Sequence, residues 1–496
     1  MELGVLVYLS SGLFLGWSLG ANDAANVFGT AVGTRMIKFS TAAIICAIFI
    51  TLGAVISGAG AAHTLSKLGD INALGGAFVA AFSAAAVVAW LTILGLPVST
   101  TQAIVGAIIG WNFFTGMATD FTIFNTIIGT WFLSPVLTAI FSYFMYKAVM
   151  WMLNRMQLHI VRLDAMTRLA LLIAGVLGSY SLGANNIANV MGVFIGANPF
   201  QDFAIGGLVI TGLQQLFFVG SIAIAVGVAT YSKKVMMTVG DSIVPLTPVG
   251  AFVVIIATSL VLFLFASSDL EYFLASLGLP TIPLVPVSSS QAVVGGVIGI
   301  GMIKNRRNIK WGVTGRILVA WVQTPVVSAL FSFMMLFIMQ NLFGQTVFEK
   351  VEFQLSQPIL VRHANNLNVK PLEALIGKSY STSGSLKKDV DKLVPDAEYK
   401  KVLSFVQEAR MERITVDPVK FPELDKSIDL LTKEQIDSVK SLAGKTFDYR
   451  WQLVDALTVG SESWRMKERT VLNKKYNKQV QHRLDVVLDL YTEKMK

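Results

Sequence analysis

The stretch GANDAANVFGTAVGT, residues 20–34, follows directly on an apolar run at 4–19. A second stretch, GANNIANVMGVFIGA at 183–197, repeats its pattern, again behind an apolar run. Both set several asparagines in hydrophobic sequence, and the first has Asp23 where the second has Asn186. Because polar side chains at membrane depth are costly, their occurrence in two matching places indicates a functional element.

The composition of the 496-residue chain is that of a membrane protein. Hydrophobic residues make up 54% of it and charged residues only 14%, with a mean hydropathy of +0.62. Soluble domains carry about 25% charged residues. Spanning the bilayer as a helix takes ~20 apolar residues. Uncharged runs at or near that length lie at 41–62, 75–95, 123–146, 203–229, 250–268 and 317–343. We predict an all-α, multi-pass protein integral to the cell (plasma or inner) membrane.

Further motifs recur in the same order in the two halves of the chain. PVSTTQAIVGAIIG at 97–110 returns as PVSSSQAVVGGVIG at 286–299, and WFLSPVLTAIFS at 131–142 returns as WVQTPVVSALFS at 321–332. Internal repeats decide the fold of a chain that contains them. The sequence therefore predicts two copies of one transmembrane design.

The distribution of basic residues predicts how the copies are oriented. Lysine and arginine mark the inner side of a membrane protein, and here they cluster at 35–38, 147–168, 233–234 and 304–316. Placing these clusters inside puts the N-terminus outside and gives each half an odd number of crossings, so that the halves are inverted. Inverted repeats with interrupted helices are typical of secondary transporters, whose sites lie near the membrane midplane. Since the net charge of +9 lies in loops and the C-terminal tail, we expect contact with lipid headgroups and no nucleic-acid partner.

Four segments follow from these patterns. Residues 1–151 form the first transmembrane repeat, 152–165 a basic inner linker, and 166–344 the second, inverted repeat. Residues 345–496 form a soluble, mostly helical C-terminal domain, with helical stretches near 397–411, 433–442 and 464–495. The number of crossings places this domain outside, and it carries no catalytic motif.

The polar segments predict an anion site made by both repeats. We expect the Gly-Ala-Asn elements to unwind their helices and leave half-helices that begin near Ala24 and Ile187. Pro97 and Pro286 are placed to start new helices at the hydroxyl triplets; the PVS segments are either tips of re-entrant hairpins or breaks in full crossings. Helix N-termini attract anions. The added neutral donors are Ser99, Thr100, Thr101, Gln102, Ser288, Ser289, Ser290 and Gln291. Such a cage, which contains no arginine or lysine, suits a tetrahedral oxyanion that must also be released.

Asp23 predicts how transport is coupled. A carboxylate beside a bound anion must be protonated or paired with a cation. Carboxylate, amide and backbone oxygens are the ligands that small hard cations prefer. With Asn22 and Asn26, Asp23 is therefore a candidate sodium or proton site. The second copy offers a neutral counterpart in Asn185, Asn186 and Asn189.

At these residues the chain resembles the inorganic phosphate transporter (PiT) family. The resemblance covers about residues 1–344 and rests on the duplicated GAND-x-AN signature, the pair of PVS-x-x-Q elements and the sequence KKVMMTVG at 233–240. It implies an inverted-repeat symporter for inorganic phosphate, driven by sodium in many members and by protons in others, and often dimeric. The family's sodium-site aspartate falls on Asp23, and its phosphate contacts fall on Asn26, Asn189 and the residues at 99–102 and 288–291. Asn186 departs from members that have a second aspartate, so the number and kind of coupling ions stay open.

Two alternatives remain beside sodium-driven phosphate uptake. A sulfate permease of the same architecture is the nearest, although an acceptor facing the anion favours phosphate, which near neutral pH still donates a hydrogen bond. A membrane phosphate sensor that signals through the C-terminal domain is the other, and net flux separates it from a transporter. The polar segments hold no nucleophile–base pair and no His or Cys cluster, so we predict neither an enzyme nor a cofactor other than the coupling ion.

Overall fold

The computed structural model describes residues 3–93, 98–205, 208–239, 246–304, 311–426 and 430–493. Up to residue 344 the helices are α1 Leu3–Gly33, α2 Phe39–Ser57, α3 Ala59–Gly69, α4 Leu74–Ile93, α5 Thr100–Thr115, α6 Phe121–Met156, α7 Ile160–Met191, α8 Gly212–Thr230, α9 Ser232–Val239, α10 Pro248–Ala266, α11 Ser268–Ser276, α12 Ser289–Lys304 and α13 Trp311–Asn341. Among these described helices, seven are long and apolar enough to cross a membrane: α1, α2, α4, α6, α8, α10 and α13.

The second half repeats the first helix by helix. Helices α7, α12 and α13 carry the sequence repeats of α1, α5 and α6, and α8 and α10 follow in the same order as α2 and α4. Their contacts are reciprocal: α1 packs on α8 and α7 on α2, while α5 packs on α13 and α12 on α6. Each half therefore buries its apolar faces chiefly against the other half, which makes them one folded unit.

Glycines allow the two halves to approach this closely. A Cβ atom on Gly20 would lie 2.0 Å from the carbonyl oxygen of Ile224, and one on Gly183 would lie 2.0 Å from that of Ile50. Small residues let helix backbones touch in membranes. The first glycine of each signature thus serves helix packing, and it does so at matching positions of the two copies.

The described part of the first PVS segment, Val98–Ser99, and the whole second segment, Pro286–Ser288, lie at the tips of two helical hairpins, α4–α5 and α10–α12, and not within continuous helices. The tips meet: Ser290 Oγ donates to the Val98 carbonyl (3.0 Å), and Thr101 Oγ1 donates to the Val287 carbonyl (3.3 Å). At the open end of the first hairpin, Trp111 Nε1 donates to the carbonyl of Val347, where the C-terminal domain begins (3.2 Å).

The second hairpin opens towards the opposite face of the molecule. Ile300, near its end, packs in one cluster with Tyr146 from the last part of α6. At the other end of α6, Phe121 contacts Tyr399 of the C-terminal domain, with ring centroids 5.7 Å apart. The hairpins therefore enter from opposite faces, as expected for inverted repeats.

The expected half-helices at Ala24 and Ile187 are wrong. Both signatures lie inside continuous helices, α1 and α7. A break is not needed because the signature side chains find hydrogen-bond partners on the hairpin tips, so the helices keep their own backbone hydrogen bonds. The predicted linker 152–165 is likewise largely helical: α6 ends at Met156 and α7 begins at Ile160, with a turn at Gln157 between them.

The C-terminal domain has two apolar cores of its own, one around Phe405 and one around Trp464. Its helices are α14 Gln357–His363, α15 Ser383–Leu393, α16 Tyr399–Glu408, α17 Phe421–Lys426, α18 Lys433–Lys440, α19 Arg450–Gly460 and α20 Lys474–Tyr491. Two small antiparallel pairs join β3 Phe353–Gln354 to β4 Ser379–Tyr380 and β5 Ile414–Thr415 to β6 Thr446–Phe447; a third, β1 Phe203–Ile205 with β2 Leu208–Ile210, precedes α8.

This domain docks on the face at which α1 begins. Asn72 and Glu349 exchange two hydrogen bonds of 3.0 and 3.1 Å, and Tyr8 donates to Gln345 at 2.6 Å. The basic residues near the linker lie at the other face, where Arg168 Nη1 donates to the Met36 carbonyl after the end of α1 (2.7 Å). The N-terminus and the C-terminal domain therefore share one face, in agreement with the charge pattern of the sequence.

Candidate functional site

Asp23 lies where both signature helices and the second hairpin tip meet. Its Oδ1 accepts a hydrogen bond from Asn22 Nδ2 (2.9 Å), and its Oδ2 accepts from Asn186 Nδ2 (2.9 Å) and Ser289 Oγ (2.6 Å). The carboxylate is buried, and the three partners that it has in the described structure are neutral. A buried carboxylate whose partners are all neutral has no counter-charge, so it needs a bound cation or a proton.

Asn185 holds the second hairpin tip in place. Its Nδ2 donates to the Val287 carbonyl (2.8 Å) and its Oδ1 accepts from the Val287 amide (2.9 Å), so one side chain binds both polar groups of one residue. The same Nδ2 also donates to Asn186 Oδ1 at 2.6 Å. The predicted neutral counterpart of the cation site thus connects the tip to Asp23 through Asn186.

The two hydroxyl triplets begin helices as predicted. Helix α5 begins at Thr100 and α12 at Ser289. Ser99 Oγ accepts from the Gln102 amide (3.3 Å) and Ser288 Oγ from the Gln291 amide (3.2 Å), which caps both N-termini in the same way. Pro286 precedes the second triplet directly; Pro97 lies outside the described residues.

The last asparagine of each signature reaches the hairpin tip of the other repeat. Asn189 Nδ2 donates to Thr101 Oγ1 at 2.9 Å, and Asn26 Nδ2 lies 3.5 Å from both Ser289 Oγ and Ser290 Oγ. All fourteen residues predicted for the site are thereby gathered around the meeting hairpin tips, and with the exception of the half-buried Asn26 they are buried.

Several polar atoms in this region are buried and have no hydrogen-bond partner: Thr100 Oγ1, Gln102 Oε1, Asn189 Oδ1 and Gln291 Oε1. Buried polar atoms are bonded in most proteins, so a group of unpaired ones needs an explanation. Here they come from both tips and one signature, at matching positions of the glutamines. A hydroxyl and amide side chains can each offer a donor or an acceptor by rotation. The group therefore suits an oxyanion that also carries a proton.

Sequence reasoning did not identify the backbone groups of Val98 and Val287 as part of the site. Their carbonyls accept the hydroxyl hydrogen bonds that join the tips. One signal was available for Val98 and Val287: each lies just before the serine that caps the following helix, so its backbone groups stand outside the hydrogen bonds of that helix. The partners themselves depend on how the hairpins meet, which a single sequence does not contain.

A buried polar site between two matching halves, each contributing one hairpin tip, defines a multi-pass membrane transport protein. The chain belongs to the phosphate transporter family, whose sequence profile matches residues 19–167, 158–332 and 273–408. The last match extends into the C-terminal domain.

Individual relatives resemble the chain over about two thirds of its length. A provisionally named phosphate permease of Methanocaldococcus jannaschii is 26% identical over 67% of this chain and 97% of its own length. The sulfate permease of Bacillus subtilis is 28% identical over 68% of this chain and 87% of its own. A solved structure, the sodium-dependent phosphate transporter, has 24% identity and a TM-score of 0.52, and covers 68% of this chain and 98% of that chain. At 24% identity, this similarity is evidence that the two proteins share a fold.

Proposed function

We propose that the protein imports inorganic phosphate by sodium symport, with alternating access around the meeting hairpin tips. The observation that carries this proposal is the position of Asp23, whose carboxylate bonds to Asn186 of the other repeat and to Ser289 of a hairpin tip. A cation at Asp23 would therefore act directly on both elements that hold the anion. The sodium dependence of the protein with the similar fold supports this choice of ion.

The same contacts couple the site to movement of the repeats. Asn185 and Asn189 of α7 bind the second and first tips respectively. A shift of either hairpin must break some of these bonds, and binding of phosphate and sodium offsets that loss by supplying new partners. Ligands can drive such a change only by binding the two states differently. Neutral donors keep the phosphate affinity low enough for release.

Sulfate is the second candidate substrate, since a sulfate permease is among the similar proteins. Gln102 Oε1, Asn189 Oδ1 and Gln291 Oε1 are buried acceptors without a partner. In the present orientation of these side chains, hydrogen phosphate can donate to one of the three oxygens, whereas sulfate, which carries no proton, leaves all three unpaired. An unpaired buried polar group costs about 1–3 kcal/mol. We therefore favour phosphate.

The decisive test is uptake into liposomes that contain the purified full-length protein. Radiolabelled phosphate and sulfate are offered with an inward sodium gradient, a proton gradient or none. We expect accumulation of phosphate with the sodium gradient. Binding without accumulation would instead identify a sensor, and faster uptake of sulfate than of phosphate would identify a sulfate permease. The same vesicles, after crosslinking, test the homodimer that the family resemblance predicts.

Asp23→Asn tests the coupling residue. The amide keeps the size of the side chain but removes the charge that sodium would bind. Hydrogen bonds to charged groups contribute ~1.5–3 kcal/mol, so we expect sodium-driven uptake to fall by at least about tenfold. Asp164→Asn removes a carboxylate from an exposed ion pair with Arg168 and is the matched control, with uptake unchanged. Sodium-driven uptake at the original rate in Asp23→Asn would refute the assignment.

A further inference from the structure

The connection between the two arms of the second hairpin is much longer than that of the first. Helices α4 and α5 are joined by residues 94–99, whereas the chain between α10 and α12 forms the further helix α11 and then a non-helical stretch at 279–288. Helix α10 has 19 residues and is therefore ~28 Å long, enough to bring the chain across most of the membrane. Helix α11 is outside the seven candidate spans. The second hairpin thus makes a detour between its first arm and its tip.

The C-terminal domain holds this detour at Glu271 of α11. Both oxygens of the Glu271 carboxylate accept from Lys474 Nζ of α20, at 2.8 and 2.6 Å. Glu271 is buried. Removing one partner of a buried ion pair leaves the other charge without compensation, which is costly. The pair therefore attaches α11 to the C-terminal domain.

The stretch that leads from α11 to the tip is stiff. Pro280, Pro283 and Pro286 occupy every third position of LPTIPLVPVS, residues 279–288. The structure describes all of these ten residues, and they form neither helix nor strand. Proline fixes its own φ angle, and prolines at this spacing favour a polyproline II conformation, which acts as a semi-rigid spacer. The stretch therefore transmits a displacement of α11 to the tip and does not absorb it.

Hydrogen bonds guide this stretch into the candidate site. Thr64 Oγ1 of α3 donates to the Leu284 carbonyl at 2.6 Å, and the Val285 amide donates to the carbonyl of the penultimate residue of α10 at 3.2 Å. The stretch ends directly before Ser289, whose Oγ donates to Asp23 at 2.6 Å. A continuous path of bonded and stiff elements thus leads from the C-terminal domain to the buried carboxylate.

We propose that Glu271 and Lys474 are positioning residues for the second hairpin tip: through the proline stretch, the C-terminal domain holds the tip where it binds the transported ions. This role rests on the proposed phosphate import and extends it, because it gives the C-terminal domain a part in setting the substrate affinity. Without the ion pair, the hydroxyl and amide donors of the tip are less well aligned, and a site whose supporting contacts are loose binds its ligand less tightly.

Uptake kinetics of Glu271→Gln test this proposal. The KM for phosphate at saturating sodium should rise about 2- to 10-fold, with an unchanged maximal rate, because only the alignment of the tip is impaired. Lys474→Arg is the conservative variant: its guanidinium can still bind both carboxylate oxygens, so the original KM should be kept. Asp70→Asn is the matched control. It breaks the 3.2 Å pair of the C-terminal domain with the first repeat, through Arg410, and should also keep the original KM.

A second variant tests the stiffness of the proline stretch. Pro283→Gly leaves the ion pair intact but makes the stretch flexible, so it should raise the KM by a factor similar to that of Glu271→Gln. The double variant Glu271→Gln/Pro283→Gly should be no worse than either single variant, because both changes interrupt the same path. Effects that multiply in the double variant would show two independent causes and would overturn the proposed linkage.

Hydrogen exchange tests the linkage without transport. The amides of Val285 and Val287 are both hydrogen-bonded, so they report on the stretch before the tip in full-length protein in detergent. In Glu271→Gln they should exchange about threefold faster or more, and in Asp70→Asn at the wild-type rate. The amides of α16 should stay protected in both variants, which shows that the C-terminal domain remains folded.

Two results would overturn the positioning role. One is unchanged exchange of Val285 and Val287 in Glu271→Gln. The other is a KM that rises as much in Asp70→Asn as in Glu271→Gln, because the docking of the whole domain, and not this path, would then set the affinity. Since hydrogen exchange requires no flux, a protein that accumulates no phosphate would contradict the proposed function and leave the test of positioning intact.

Discussion

At the scale of single residues, the difference between Asp23 and Asn186 determines the charge of the site. Asn186 Nδ2 donates to Asp23 Oδ2 at 2.9 Å, so the two positions of the repeated signature touch each other. One is charged and one neutral, and their contact is a hydrogen bond rather than a repulsion. Two carboxylates at this distance would repel unless a proton or a cation lay between them. Because only one of the two positions is a carboxylate, a single bound cation or proton is enough to neutralise the pair.

Asn186→Asp should therefore increase the dependence of uptake on sodium. The substitution removes the donor to Asp23 and adds a second negative charge, which a further cation must neutralise. We expect uptake at low sodium to fall about tenfold or more and the Hill coefficient for sodium to rise, measured as phosphate uptake against sodium concentration. Asn186→Ala removes the donor without adding charge, so it should lower uptake and leave the Hill coefficient unchanged. The same Hill coefficient in Asn186→Asp as in the wild type would contradict this account.

At the scale of elements, the sequence was sufficient to predict which segments form the site but not how they join. Repetition identified the signatures and the PVS segments but did not decide whether these segments are hairpin tips or breaks in full crossings. The helix starts at Thr100 and Ser289 followed from a proline before hydroxyl groups. The predicted break at Ala24 failed because the tips satisfy the polar side chains of α1, and that pairing is tertiary. The contact of Asn185 with the Val287 backbone could not be foreseen for the same reason.

The close packing of the helices predicts the effect of adding one methyl group to a signature glycine. In Gly20→Ala the new Cβ would meet the Ile224 carbonyl at 2.0 Å, so α1 and α8 must separate. Overpacking of this kind costs about 1–3 kcal/mol. The single cysteine, Cys46, is buried in α2 and reports unfolding through its reaction with a thiol-specific dye on heating. We expect it to react at a lower temperature in Gly20→Ala.

Gly129→Ala is the control for that substitution. Nothing lies within 4 Å of a Cβ at Gly129, which is in the interior of α6. Alanine is favoured over glycine in a helix by up to ~1 kcal/mol, so this variant should be as stable as the wild type or more so. Gly183→Ala, at the matching position of the second repeat, should behave like Gly20→Ala. If Gly20→Ala and Gly129→Ala unfolded alike, the close approach of the helices would not limit stability.

At the scale of the whole molecule, the C-terminal domain contacts both repeats on one face. Arg410 pairs with Asp70 of the first repeat, while Lys474 and His482 pair with Glu271 and Asp202 of the second. A domain attached to both halves must loosen on one side whenever the halves move relative to each other. Under the alternating access proposed above, its ion pairs would therefore contribute to the balance between the two conformations.

The pair formed by His482 and Asp202 makes this docking dependent on pH. The hydrogen bond to Asp202 raises the pKa of His482, against desolvation; Asp485 raises it further and the charge of Arg483 lowers it. On α3, burial lowers the pKa of His63 to about 4, and the charges of Lys478 and His482 lower it further. A raised histidine pKa stabilises the docked state fully below the ordinary value of about 6.5, and this contribution is lost as pH rises through the raised value.

Hydrogen exchange of the α20 amides, corrected for intrinsic rates, should therefore show stronger protection at pH 6 than at pH 8.5. His482→Gln removes the titrating group and should abolish the difference, with protection at pH 6 reduced to the level seen at pH 8.5. His159→Gln, which changes an exposed histidine at the opposite face, should retain the full pH dependence. Equal protection of wild-type α20 at both pH values, or a pH dependence that persists in His482→Gln, would show that other groups control the docking of the domain.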